Sequence, residues 1–280
     1  MKRNQVILIV LLIIALAALT FSLWRIFRNP KTQNLIPVAT TTTATNTESV
    51  SVEEKKITNN TDFYEINIKY PEDSRDKNKE IESFILASTE RKKDDWKVGG
   101  EIYNDEKALT KLYPDRANTA YTYDITYQTY EAPSRGTISY VFNTYEFTGG
   151  AHGNSVVNTF TFNKDGKIAI DDILTLAENN NDIKLSRVLA EKIRQSQGDM
   201  VIEDMLMEGL GLAYLKADGK TLDKEKCNCD GFFFGSNFQN FYLTDEGITF
   251  LFNQYQVAPG AAGIVKVTLD WDSLNSYLKK

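Results

Sequence analysis

Residues 137–166 read TISYVFNTYEFTGGAHGNSVVNTFTFNKDG. Thr137 to Phe147 and Ser155 to Asn163 alternate aromatic or branched residues with Thr, Ser and Asn, which is the period-2 pattern of strands with one buried face. Between them lies Thr148-Gly149-Gly150-Ala151-His152-Gly153, a loop whose glycines reach backbone angles closed to other residues. Asn163-Lys164-Asp165-Gly166 closes the second strand in a tight turn. A strand, a shaped loop holding the only histidine of the chain and a second strand together make a sheet the centre of the fold.

Upstream, Ala120 to Tyr130 is another Tyr- and Thr-rich strand, joined to the first by a turn near Pro133 to Gly136. Phe63 to Tyr70 alternates and stops at Pro71. Residues 74–93 put Ile81, Phe84, Ile85 and Ser88 on one face at helical spacing. Downstream, Asp171 and Asp172 start a short helix running to Leu176. Asp182 caps a longer helix with a core face of Ile183, Val188, Leu189 and Ile193, and Met200 to Leu210 is a third helical segment. Strands return at Phe238 to Leu243 and Ile248 to Tyr255, flanking the turn Thr244 to Gly247. Ile264 to Leu269 alternates cleanly, and Trp271 to Leu278 is a closing helix. The fold class is α+β, mostly antiparallel sheets with packed helices. The expected division is two small α+β subdomains, residues 61–153 and 154–280.

The first sixty residues differ from the rest. Val6 to Leu23 is apolar except for Thr20 and Ser22, and eighteen residues make about 27 Å of helix, close to the ~30 Å hydrocarbon core. Trp24 and Phe27 suit the interface. Residues 6–24 are therefore expected to be an uncleaved transmembrane anchor embedded in the lipid bilayer, with residues 1–5 as a cytoplasmic tip. Residues 25–60, rich in Thr and Asn, follow as a linker. This places the folded part outside the cytoplasm.

Of 32 basic and 38 acidic residues, seven and three fall in residues 1–59, so the remainder carries a net charge of about −10. Such a surface repels nucleic acid and attracts basic proteins. The chemistry-bearing residues are few. One histidine cannot supply a His-rich metal site, and no metal or cofactor is expected. Cys227 and Cys229 form a Cys-Asn-Cys pair, for which a disulfide is favoured outside the cytoplasm over a redox pair or a zinc site. The acidic pairs Asp94/Asp95, Asp171/Asp172 and Glu203/Asp204 fit helix starts and solvated faces better than a glycosidase cleft. No Gly-x-Ser-x-Gly, phosphate loop or dinucleotide fingerprint is present.

Two motifs carry a resemblance. Tyr145 to Gly153, with the turn and Asp171-Asp172-Ile173-Leu174 behind it, is the first. The second is Phe241 to Ile248 followed by Asn253-Gln254-Tyr255-Gln256-Val257-Ala258-Pro259-Gly260-Ala261-Ala262-Gly263. The pair resembles the family formed by the extracytoplasmic domain of the lysozyme-sensing anti-sigma-V factor and the non-catalytic N-terminal module of peptidoglycan N-acetylmuramic acid deacetylase C, over about residues 60–278. The resemblance implies a non-enzymatic binding module of the bacterial envelope, because the catalytic His and Asp motifs of such deacetylases have nothing to map onto. It implies a basic partner such as lysozyme, or peptidoglycan. The expected contact residues are Gly149, Gly150, His152, Gly153, Tyr255, Pro259 and Gly260. An envelope glycan hydrolase using His152 as base, and a structural partner in an envelope complex, are the alternatives.

Overall fold

The Tyr- and Thr-rich runs fold as strands and find their partners in chain order. In the computed structural model, which describes residues 53–72, 77–112, 120–227 and 237–279, six strands form one sheet. They are β1 (Glu53–Asn60), β2 (Tyr64–Glu72), β3 (Tyr121–Ala132), β4 (Thr137–Phe147), β5 (Asn154–Asn163) and β6 (Gly166–Ile168). Neighbours are antiparallel except β2 and β3, which run parallel. Parallel neighbours need a crossover, and this one carries α1 (Lys77–Trp96) and α2 (Glu101–Leu112).

Helix α1 buries Ile81, Ile85 and Trp96 against the first face of this sheet, where Ile66, Ile68, Tyr123, Ile125, Tyr140 and Phe142 point. Lys92 lies at the rim of that layer. Its ammonium sits 5.4 Å from the Trp96 ring centroid and 2.6 Å from Glu146 Oε1, so a stem packed on aromatics delivers its charge to the end of β4.

The second half builds a smaller sheet from β7 (Phe241–Leu243), β8 (Gly247–Phe252) and β9 (Val265–Asp270). Helix α3 (Asn181–Gln197) and the short helix α4 (Glu203–Gly209) share its core, with Leu185, Leu189, Leu206, Phe250 and Val267 buried together. The last helix, α5 (Trp271–Leu274), is capped by Asp270, whose carboxylate accepts from Ser273 N at 2.7 Å. The second face of the large sheet meets the small one through Val141, Val157 and Leu251. Hydroxyls join them: Phe241 N donates to Thr159 Oγ1 at 3.0 Å and Leu243 N to Ser139 Oγ at 3.2 Å. Tyr130 and Tyr242 stack with ring centroids 3.7 Å apart.

Several expectations need correction. Residues 53–60 are not linker but the edge strand β1, paired residue for residue with β2. Its sequence EEKKITNN has only Ile57 to bury, so main-chain pairing rather than hydrophobicity orders it. Helix α2 was not expected. The division at 153/154 cuts through the large sheet, because β5 and β6 complete it, and residues 51–280 form one compact unit. Asp171 and Asp172 end a single 3-10 turn (Ile170–Asp172), and the longer helix starts at Asn181, so Asp182 lies inside its first turn and the N-cap position, Asn180, makes no side-chain cap bond. The expected anchor, residues 6–24, lies outside the described residues; among those described, no helix is long and apolar enough to cross a membrane.

Candidate functional site

Two loops a hundred residues apart in sequence meet at one corner of the fold. The first leaves β4 at Phe147 and turns through Gly149 and Gly150, with φ of +86° and +97°. It re-enters the sheet at Asn154. The second leaves β8 at Asn253, carries Tyr255 and continues through Pro259 into a 3-10 turn, Gly260–Ala262, where Ala262 N donates to Pro259 O at 2.9 Å.

Amide side chains sew the second loop to strand β5, into which the first loop runs. Beyond the short β6, strand β5 has donors with no strand opposite. Asn253 Oδ1 accepts from Val157 N, and Gln254 Oε1 accepts from Ser155 N, both at 2.8 Å. Gln254 Nε2 donates to Gly260 O at 2.9 Å, which closes the second loop on itself. These bonds satisfy strand donors that would otherwise be left unpaired.

On this frame sit His152 and Tyr255. The phenolic oxygen of Tyr255 is 3.0 Å from His152 Nε2, and His152 Nδ1 is 3.0 Å from Gly153 O. A carbonyl oxygen only accepts, so Nδ1 carries the proton. In the neutral ring Nε2 is then the acceptor, and the Tyr255 hydroxyl donates to it. Tyr255 has φ of +67°, a left-handed conformation that a bulky L residue adopts at a cost of about 1–2 kcal/mol. It is nevertheless 45% exposed, so core burial does not hold it there. Its ring lies across Gly260, where any Cβ would overlap the ring's Cζ and hydroxyl. Tyr145, 37% exposed, lies across Gly153 in the same way. The corner therefore carries two tyrosines each seated on a glycine, Tyr145 of β4 on Gly153 and Tyr255 on Gly260, with the imidazole against Tyr255.

Of the residues expected from sequence, His152, Gly153, Tyr255 and Gly260 are brought into contact. Gly149, Gly150 and Pro259 shape the two loops. Cys227 is buried and disulfide-bonded, and Cys229 lies outside the described residues. Sequence reasoning missed Tyr145, Asn253 and Gln254. All three lie inside the quoted motifs, but nothing in the pattern separates a ring laid on a glycine, or an amide tying a loop to a strand, from ordinary strand and turn residues. Among the described residues no group of three or more His, Cys, Asp or Glu side chains is placed to hold a metal ion.

Comparison with known proteins shows what this chain is similar to. Residues 57–155 match the family described as Deacetylase PdaC, and residues 171–272 match a protein family of unknown function, DUF3298. The chain is thus similar to one family over residues 57–155 and to another over residues 171–272, and the join between the two matches falls at the β5–β6 hairpin. It is 29% identical over 150 residues to peptidoglycan-N-acetylmuramic acid deacetylase PdaC of Bacillus subtilis strain 168, a match that covers 52% of this chain and 27% of that protein. Two crystal structures share the fold. A DUF3298 family member from Bacteroides fragilis has a TM-score of 0.52 at 18% identity, over 82% of this chain and 94% of that one. A DUF3298 protein from Pseudomonas aeruginosa PAO1 has a TM-score of 0.50 at 14% identity, over 81% and 94%.

Proposed function

We propose that this chain is a non-catalytic binding module of the bacterial cell envelope, carried outside the cytoplasm by the membrane-spanning segment 6–24, and that its ligand is peptidoglycan. The observation that carries the reading is Tyr255, exposed, held left-handed and fixed by its hydroxyl to His152. Strain kept at an exposed side chain points to a role for that side chain at the surface. A fixed aromatic ring offers an apolar face and a polar edge, which suits a sugar ring with its apolar faces and hydroxyl rim. The relationship to a peptidoglycan deacetylase supports the same polymer as ligand. Binding is favoured over turnover by the imidazole's partners, a carbonyl and a phenol. The Gly153 carbonyl orients the imidazole, and its other nitrogen is taken up by the Tyr255 phenol, which uses the imidazole to fix the phenol ring at the surface.

One observation favours a second reading. The net charge of about −10 beyond residue 59 would steer a basic protein of the lysozyme type toward the module. Titration of the purified full chain with soluble muropeptides, and separately with a basic lysozyme, both at 0.15 M salt, distinguishes the two. Saturable muropeptide binding supports the first reading, and saturable binding of lysozyme alone supports the second. Release of acetate or muropeptide, abolished by His152→Ala, would replace both with the hydrolase reading.

A further inference from the structure

A cleft of about 430 Å³ opens between the two sheets, lined by residues of β3, β4 and β5 on one side and by Leu251, Ile264 and Lys266 on the other. Its floor is apolar: Val141, Val157 and Leu251 are buried, with Ile264 beside them. Its polar lining is Thr126, Gln128, Asn143 and Lys266, all exposed. Gln128 accepts from the Tyr130 hydroxyl at 2.9 Å. The side chains of Thr126, Asn143 and Lys266 make no hydrogen bond or ion pair among the described residues. The cleft therefore has an apolar base, unspent neutral donors and acceptors on its rim, and one cation without a counter-ion.

The corner already described lies one step further along the same strands. Val141, Asn143 and Tyr145 alternate along β4 and share its second face, so the Tyr145 ring is reached from Asn143 in one two-residue step, about 7 Å. On the facing strand, Val157 pairs with Asn143 and Ser155 with Tyr145. The main-chain N–H groups of those two residues donate to Asn253 Oδ1 and Gln254 Oε1, the residues that lead into Tyr255. Asn143 and Val157 of the cleft are thus followed along β4 and β5 by Tyr145 and Ser155 at the corner.

We propose that this cleft is a saccharide subsite for an N-acetylated sugar bearing a carboxylate, lying next along a glycan strand from the Tyr145–His152–Tyr255 corner. The proposal rests on peptidoglycan as the ligand and assigns its acidic sugar to a place. A volume of this size falls in the range of small-molecule sites, which are mostly apolar with a few fixed polar groups. Sugar C–H faces pack on Val141, Val157 and Leu251. The acetamido and hydroxyl groups meet Thr126, Gln128 and Asn143. The carboxylate pairs with the Lys266 ammonium, a charge-assisted contact stronger than its neutral counterparts. A neutral ligand would leave Lys266 unpaired, and a polyanion would find one cation against an acidic surface.

The test is calorimetric titration of the purified full chain with two probes: the disaccharide N-acetylglucosaminyl-N-acetylmuramic acid and the neutral N,N′-diacetylchitobiose. Lys266→Met should weaken the acidic disaccharide about tenfold and leave chitobiose binding unchanged, since only the ion pair is lost. Asn143→Leu should weaken both. Both positions are solvent-exposed, and circular dichroism with a melting curve checks that the variants fold. If both variants bind both probes as the wild type does while Tyr255→Ala does not, the cleft assignment is overturned and the module reading stands. If the wild type binds no saccharide probe, both fall. Binding of an extended peptide in place of sugar, lost in Asn143→Leu, would overturn the saccharide assignment as well.

Discussion

Tyr255 combines three features at one residue: a positive φ, an exposed ring and a hydroxyl bonded to the sole histidine. The glycine at 260 is what makes this possible, because a Cβ there would overlap the Tyr255 ring but no main-chain atom among its nearest contacts. Gly260→Ala should therefore displace the ring at a small cost in stability, under about 1 kcal/mol, and break the contact with His152. Histidine NMR resonances should shift while the melting temperature hardly moves; an unshifted His152 spectrum in a folded variant would show that Gly260 does not seat the ring. A second residue-scale prediction concerns Asp218. The Thr221 hydroxyl, then the Lys220 and Thr221 amides, hold its carboxyl at a pKa of about 2, below the ordinary 3.8. A depressed carboxylate stabilises the fold fully above the unfolded pKa, and that contribution is lost as pH falls through about 2. An NMR titration should find the midpoint near 2 in the wild type and higher in Thr221→Val; a wild-type midpoint near 4 would contradict it. At this scale the sequence made His152 and Tyr255 visible as residues on Gly-rich loops. It did not show that they touch, because a contact between positions 152 and 255 leaves no periodic trace.

The elements were legible where burial repeats and illegible where it does not. Strand β9 and the first half of β3 bury every other residue, β4 and β5 pack on both faces in the middle of the sheet, and the patterns of all four are plain in the sequence. Strand β1 has no such face. It is an edge strand whose order comes from pairing along β2 and from the Lys55–Glu72 ion pair at 3.1 Å. The parallel pairing of β2 with β3 was equally hidden, since parallel and antiparallel neighbours can show the same alternation. The docking of β7 depends on hydroxyls at strand positions that read from sequence as ordinary polar alternation. Ser139 is fully buried, accepts from Leu243 N at 3.2 Å and also receives the Thr161 hydroxyl at 3.0 Å. Ser139→Ala should leave a buried main-chain N–H without that acceptor and cost about 1–3 kcal/mol. Chemical denaturation would measure this, and an unchanged midpoint would show that the bond between the sheets contributes little.

For the whole molecule, the relation between the two halves was the hardest thing to read. Each half has its own core, which made two subdomains the natural expectation. The β5–β6 hairpin belongs to the first sheet but supplies Val157, Thr159 and Thr161 to the second, so the halves share an element and close into one unit. This shared hairpin also brings the Gly-Gly-Ala-His loop to the Tyr255 loop, and thereby forms the corner on which the proposed activity rests. The most direct test of that proposal is an equilibrium titration of the purified full chain with soluble muropeptides at 0.15 M salt, wild type against Tyr255→Ala. Saturable wild-type binding is expected, weakened in the folded variant by more than about 1 kcal/mol, or at least fivefold. A wild type that binds no muropeptide, or a folded Tyr255→Ala variant that binds as tightly as the wild type, would contradict it.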